Sequence, residues 1–349
     1  MYVLLRYSVI LSFGFYLPFV IDSYEKYLSL LKVLVAGSLV LGIVAILYSL
    51  PWTGSIVRSG LFQNDVLYQP REWVGNSVIS EVQSYRATSL AGSPNVVACY
   101  STVLWPISYF VYRSAASSKV WRIVSLASVL LLPISAVLTF SRSALLSLLL
   151  IVIVFLLKSI QRKSIGPVLL LIFSLSMIYY VAPEKYLASN RLYDATTRLL
   201  EGRAKQTDIS RIESHTEPFS FVSENYSWFF AGTGLGARKM RNNMTYPGPK
   251  DALNWQYMHS FLGAGTHQIG LMPTFAILTL IFYCLVKYSV NYIKTRDQGW
   301  GLTTIVTTSV LCILVFFAVE HFFISFPRSM LFLMLTLSVY TVPISRKYI

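Results

Sequence analysis

Charge is what this 349-residue chain has least of: 13% of its residues are Asp, Glu, Lys or Arg. A soluble domain carries about 25%, so a water-solvated globule is excluded as the description of most of the chain. Cysteine is also scarce. Cys99, Cys284 and Cys312 all fall inside apolar runs, which rules out a disulfide scaffold and reads as small apolar packing residues. The four histidines and three cysteines match no zinc spacing, and there is no Asp-x-Asp pair to hold a divalent cation against a diphosphate. No secretory cleavage site follows the first apolar run, which continues into Asp22-Ser23-Tyr24-Glu25, so that run reads as a retained helix. There is no internal repeat.

What is present is length without charge. Charge-free runs cover 33–57, 87–112, 123–141, 164–183, 252–286 and 298–319, with shorter ones at 7–21, 143–157 and 329–345. At 1.5 Å per residue each longer run crosses roughly 30 Å of hydrocarbon, and the shorter ones do so when flanking Arg and Lys snorkel. The runs are continuously apolar and lack the alternation of a barrel strand, so helices are expected. The expected fold class is all-α: a polytopic membrane bundle of about nine spans near 3–21, 28–50, 94–112, 121–139, 143–158, 165–182, 268–289, 300–320 and 327–345. Three parts follow. Residues 1–182 hold N-terminal spans and a loop at 51–93, 183–267 form a large extracytoplasmic loop, and 268–349 hold the C-terminal spans.

The net charge of +14 is topological rather than a nucleic-acid footprint. Arg113/Lys119/Arg122, Lys158/Arg162/Lys163, Lys287/Lys294/Arg296 and Arg346/Lys347 mark every second loop, as cytoplasmic segments do. Loops 51–93 and 183–267 then lie outside. The larger has ten Lys/Arg against eight Asp/Glu, so its translocation does not offend the rule. Nine spans with a cytoplasmic C-terminus put the N-terminus outside, and the chain is expected to begin partway through a longer membrane domain.

Four features approach that outer face: Arg86-Ala-Thr-Ser-Leu-Ala-Gly-Ser-Pro-Asn95; Thr139-Phe-Ser-Arg142-Ser; Ser210-Arg211-Ile-Glu213 with the later Gly232-Thr-Gly234-Leu-Gly236; and His259-Ser-Phe-Leu through Gln268-Ile-Gly270. A guanidinium beside hydrocarbon is costly unless it meets water, a partner or an anion. Its planar fork suits phosphate oxygens, so Arg86, Arg142 and Arg211 can hold a diphosphate whose tail lies in the bilayer. Pairing with lipid headgroups or with Glu213 is the plainer alternative for any one of them. His259 titrates near neutrality and can take a proton from a sugar hydroxyl; capping a helix is its plainer alternative. His267 takes a structural role. The glycine run lacks the strand and spacing of a nucleotide loop; a turn bringing backbone close to another helix suits it better.

These features, in this order, resemble the O-antigen ligase and O-antigen polymerase superfamily of bacterial surface-polysaccharide enzymes. The likeness runs from Arg86 to Gly270. Arg86 with Gly92 and Asn95 looks like the family's arginine loop, and Thr139-Phe-Ser-Arg142 like its Ser-Arg junction. Arg211 with Gly232, Gly234 and Gly236 looks like its periplasmic loop, and His259 with Leu262 and Gly270 like its histidine motif. Two positions depart: Ser260 stands where the family has asparagine, and Gln268 where it has glutamate. A divergent acceptor and lost activity are the consequences this leaves open. The family's usual twelve or so spans would leave nine after loss of three N-terminal helices.

The resemblance implies a membrane-embedded, C-type inverting glycosyltransferase in the bacterial cytoplasmic (inner) membrane, with its active site facing the periplasm. The donor is an undecaprenyl-diphosphate-linked glycan, the acceptor a glycan or lipid, and neither metal nor other cofactor is needed. Arg86, Arg142 and Arg211 would bind the diphosphate, and His259 would position or deprotonate the acceptor hydroxyl. Asn95 and the three glycines would support the loops. Ligase and polymerase remain alternatives. Outside the enzyme class stand a transporter of lipid-linked sugar and a non-catalytic assembly subunit; the former should carry polar groups at mid-membrane, where this sequence has few.

Overall fold

The structure, a computed structural model, describes residues 20–21, 23–49, 94–114, 117–139, 141–162, 166–181, 219, 222–223, 226–232, 261–279, 282–283, 308–309 and 311–313. Among these every regular element is helical. Among the described residues two helices are long and apolar enough to cross a membrane, over Glu25–Ser49 and Lys119–Leu138. The chain divides into two compact units. One comprises Met1–Asp22, Leu192–Lys287 and Leu314–Pro343; the other comprises Ser23–Arg191, Tyr288–Ile313 and Ile344–Ile349.

The second unit holds α1 (Tyr24–Ser49), α2 (Pro94–Arg113), α3 (Lys119–Leu138), α4 (Arg142–Arg162) and α5 (Gly166–Val181). Local chemistry sets their ends. Ser23 caps α1: its Oγ accepts from the Lys26 amide at 3.3 Å and its carbonyl from the Tyr27 amide at 3.0 Å. Glu25 adds a favourable charge in that first turn. In sequence α1 is followed by Leu50-Pro51, and proline disfavours helical backbone in the residue before it. Pro94 opens α2 where its missing N–H costs nothing.

α3 is the hub, packing on α1, α2, α4 and α5. Small hydroxyl side chains on the α1–α2–α3 contact bond from one helix to the next. Ser128 Oγ donates to Val35 O of α1 at 3.3 Å. Ser101 and Ser135 hydroxyls meet at 2.8 Å; Ser135 also donates to Leu132 O, so Ser101 is the donor in the pair. Pro133 interrupts α3 and, lacking an N–H, leaves the Val129 carbonyl without its intrahelical donor. The fully buried Trp105 of α2 supplies the replacement, its Nε1–H donating to Val129 O at 2.8 Å. Phe155 of α4 packs on that indole and on Tyr109, with ring centroids 5.0 and 5.5 Å apart.

These pairings orient the helices. Ala45, Val97, Ile134 and Leu138 form one buried cluster. The last turns of α1 and α3 therefore share an end with the first turn of α2. α1 and α3 run parallel, and α2 runs antiparallel to both. The short link from Thr139 to Ser141 starts α4 at that same end. Helical residues 308–309 and 311–313 complete the unit, with Ser309 Oγ donating to Val103 O at 2.9 Å and Cys312 Sγ approaching Ser147 O at 3.8 Å. Cys99 and Cys312 are buried thiols.

α4 is apolar all round. Ala144, Leu148, Ile151 and Phe155 are buried, while Leu146, Leu149, Ile153 and Leu157 face outward. Both sets recur at helical spacing, so two opposite faces are hydrocarbon.

The first unit contains α6 (Ser227–Phe230), α7 (Phe261–Ile269) and helical residues 271–279, here α8. The sequence places the start of a span near 268, next to a helix break. α7 begins at Phe261 and the helix breaks at Gly270, whose φ is +98°. Pro273 explains the break: in a continuous helix its ring would meet the carbonyl of Ile269. After the break it falls in the first turn of α8, where proline is tolerated.

Candidate functional site

The junction between α3 and α4 carries the arginine on which the sequence argument turns. Thr139 closes α3 with φ −71° and ψ −16°. Its Oγ1 donates to Ala136 O at 2.6 Å and accepts from the Ser141 amide at 3.2 Å. The Ser141 carbonyl takes the Leu145 amide at 3.2 Å, the first bond of α4. Thr139, Ser141 and Ser143 are buried. One threonine hydroxyl thus ends one helix and aligns the next, and Arg142 is left as the first residue of α4. A helix N-terminus offers unpaired amides and a positive dipole end, both suited to an anion.

Asn95 lies in the first turn of α2 and is half-buried. Because α2 and α4 both start at the Thr139 end, Asn95 and Arg142 occupy the same end of their unit, beside two helix N-termini. Arg113, Lys119 and Arg122 occupy the opposite end.

In the other unit, Gly270 packs against the backbone at the end of α6. Gly270 lies so close to α6 that a Cβ there would sit 2.8 Å from Ala231 N and Phe230 C and 2.9 Å from Phe230 O. Gly232 follows that contact directly. Gly270 N bonds Thr266 O at 3.0 Å, and its carbonyl accepts from the Thr274 amide and, at 2.7 Å, from the Thr274 hydroxyl. Hydrogen bonding therefore continues on both sides of the break. Of the glycines to which the sequence assigns a close backbone approach, Gly232 alone is described, and the approach beside it is made by Gly270. Its signal was available, since Gly270-Leu-Met-Pro273 inside an apolar run is a helix-break pattern. Gln268 is buried. An uncharged amide there avoids the desolvation that a carboxylate would suffer.

Arg86, Arg211, His259, Gly234 and Gly236 lie outside the described residues, as do Cys284 and Ser260. No protein-family model matches the chain, and no curated protein or solved structure matches it.

Proposed function

We propose that this chain is a multi-pass membrane glycosyltransferase that moves a lipid-diphosphate-linked oligosaccharide onto an acceptor hydroxyl at the outer face of a bacterial cytoplasmic membrane. The proposed architecture is the nine-span bundle with 183–267 as its large outer loop. The observation that carries the reading is the shared end of Asn95 and Arg142, set opposite Arg113, Lys119 and Arg122. That polarity suits an anionic donor on one leaflet and the positive-inside rule on the other. The outward apolar face of α4 supports a lipid surround.

In the proposed mechanism Arg142, with Arg86 and Arg211, holds the diphosphate and stabilises the charge that develops as the glycosyl–oxygen bond breaks. His259 takes the proton of the acceptor hydroxyl, which attacks the anomeric carbon with inversion. Lipid diphosphate leaves, and no metal takes part.

The test is transfer by the purified, lipid-reconstituted chain from an undecaprenyl-diphosphate glycan to candidate acceptors, with and without chelator. Product formed despite chelator, and lost on the order of a hundredfold or more in Arg142→Ala and His259→Ala, is the expected result. Undiminished transfer in either variant would remove that residue's role. Product length separates ligation of one glycan from polymerisation.

A further inference from the structure

The end of the helical unit opposite Arg142 gathers cations from three helices. α1 and α3 run parallel with Val35 beside Ser128, and α2 runs antiparallel with Trp105 beside Val129. Following those registers away from the Thr139 end brings Lys26 level with Lys119, and Arg113 level with Arg122. Lys26, Arg113, Lys119 and Arg122 are exposed, and Lys32 reaches across to α3 with its ammonium 6.0 Å from the Trp121 ring centroid. Glu25 is the only acidic side chain among the described residues.

Two of these cations stand where a helix favours acids. Lys119 and Arg122 lie in the first turn of α3, which has no acidic residue there. The positive end of the helix dipole repels them, at a cost that an anion would reverse. Trp121 lies between them in sequence and is half-buried against Lys32. An indole beside cations at a helix end is the combination found at headgroup depth. Beyond Trp121, outward-facing Val120 and Ile123 continue the surface with hydrocarbon. Cations, an indole and apolar side chains thus follow one another over a single turn. A phosphate carrying acyl chains matches that sequence of surfaces; a free phosphate matches only its first part.

We propose that the α1–α2–α3 end formed by Lys26, Lys32, Arg113, Lys119 and Arg122 binds an anionic phospholipid, its phosphate on the cations and its chains along Val120 and Ile123. The site uses the membrane embedding proposed above and not the transfer chemistry. In that topology it faces the cytoplasmic leaflet.

The experiment measures phospholipid retained by the full chain after detergent purification, using native mass spectrometry, and then titrates phosphatidylglycerol, phosphatidylcholine and inorganic phosphate against it. Phosphatidylglycerol should be retained and rebound in preference to phosphatidylcholine. Each cation near an anionic headgroup contributes about fivefold, so Lys119→Gln with Arg122→Gln should weaken phosphatidylglycerol binding on the order of twentyfold. Arg346→Gln with Lys347→Gln removes the same net charge from a distant part of the sequence and should leave binding unchanged. Arg113→Gln, at the end of α2, gives a second reading with less risk to folding and should weaken binding about fivefold. Equal loss in the Arg346/Lys347 control would replace the site with general charge attraction and overturn the proposal. Unchanged binding in the Lys119/Arg122 and Arg113 variants would overturn it as well. So would inorganic phosphate competing as effectively as the lipid.

Discussion

Replacing Trp105 with phenylalanine keeps a ring against Phe155 but leaves the Val129 carbonyl buried without a donor. The expected loss is about 1–3 kcal/mol. Pro133→Ala restores an N–H four residues after Val129, so the double variant should lose less than the sum of the single changes. Thermal unfolding in one detergent for all three variants checks this, and strict additivity would refute the link between indole and proline. Gly270→Ala meets two obstacles together: a left-handed φ and a Cβ pressed onto the backbone of Phe230 and Ala231. The strain alone is worth about 1–3 kcal/mol, and the α6–α7 contact must open in addition. Limited proteolysis near 232 should accelerate in this variant, and an unchanged cleavage rate would count against the contact. Gly270 is legible in sequence as a helix break before Pro273. Its partner at Phe230–Ala231 is not, because about forty positions separate them and no local pattern records the pairing.

α4 shows what periodicity can and cannot say about an element. A run without charge from 143 to 157 announces a helix, and a helix is there. Which side packs is invisible in the string, because both sides are hydrocarbon; only the positions of α2, α3 and α5 select Ala144, Leu148, Ile151 and Phe155 as the inner face. The outward face gives a clear prediction. Leu149→Arg places a charge near the middle of the helix on the uncovered side. If that side meets lipid, insertion of the segment should become less favourable by about 3 kcal/mol. A glycosylation-reporter insertion assay measures it, and a variant that inserts as well as the parent would deny α4 a lipid-facing position. At the other boundary of this helix, Thr139→Val removes a donor to Ala136 O and an acceptor for the Ser141 amide. It should lower transfer through misdirection of Arg142 while leaving the membrane-inserted amount unchanged.

At the scale of the molecule, the helical unit is polar in a second sense: its two ends carry different chemistry. Asn95→Cys and Lys119→Cys, each in a background with Cys99, Cys284 and Cys312 replaced, should be labelled by an impermeant maleimide from opposite sides of sealed vesicles. Labelling of both from one side would remove the proposed topology, and with it the outer-face site. The antiparallel arrangement of α2 and α3 behind this prediction comes from Ser101–Ser135 and Trp105–Val129, contacts between residues distant in sequence.

Composition by itself determined the apolar character of the chain and the helical form of its described apolar runs, since a continuous stretch of uncharged residues has few ways to satisfy its backbone. The structure adds the local chemistry at two ends, Ser23 capping α1 and Pro94 opening α2. Tertiary structure alone decided that α3 is the hub, that Trp105 answers the gap left by Pro133, and that Asn95 and Arg142 share an end. It also decided that Gly270 must be glycine for the sake of Phe230 and Ala231. The division has a physical cause. Helix formation and exclusion from water act within a few residues and leave their mark in local sequence. The choice of neighbour depends on small side chains, single hydroxyls and carbonyls freed by proline, whose partners lie tens of residues away and are named only when the chain has packed.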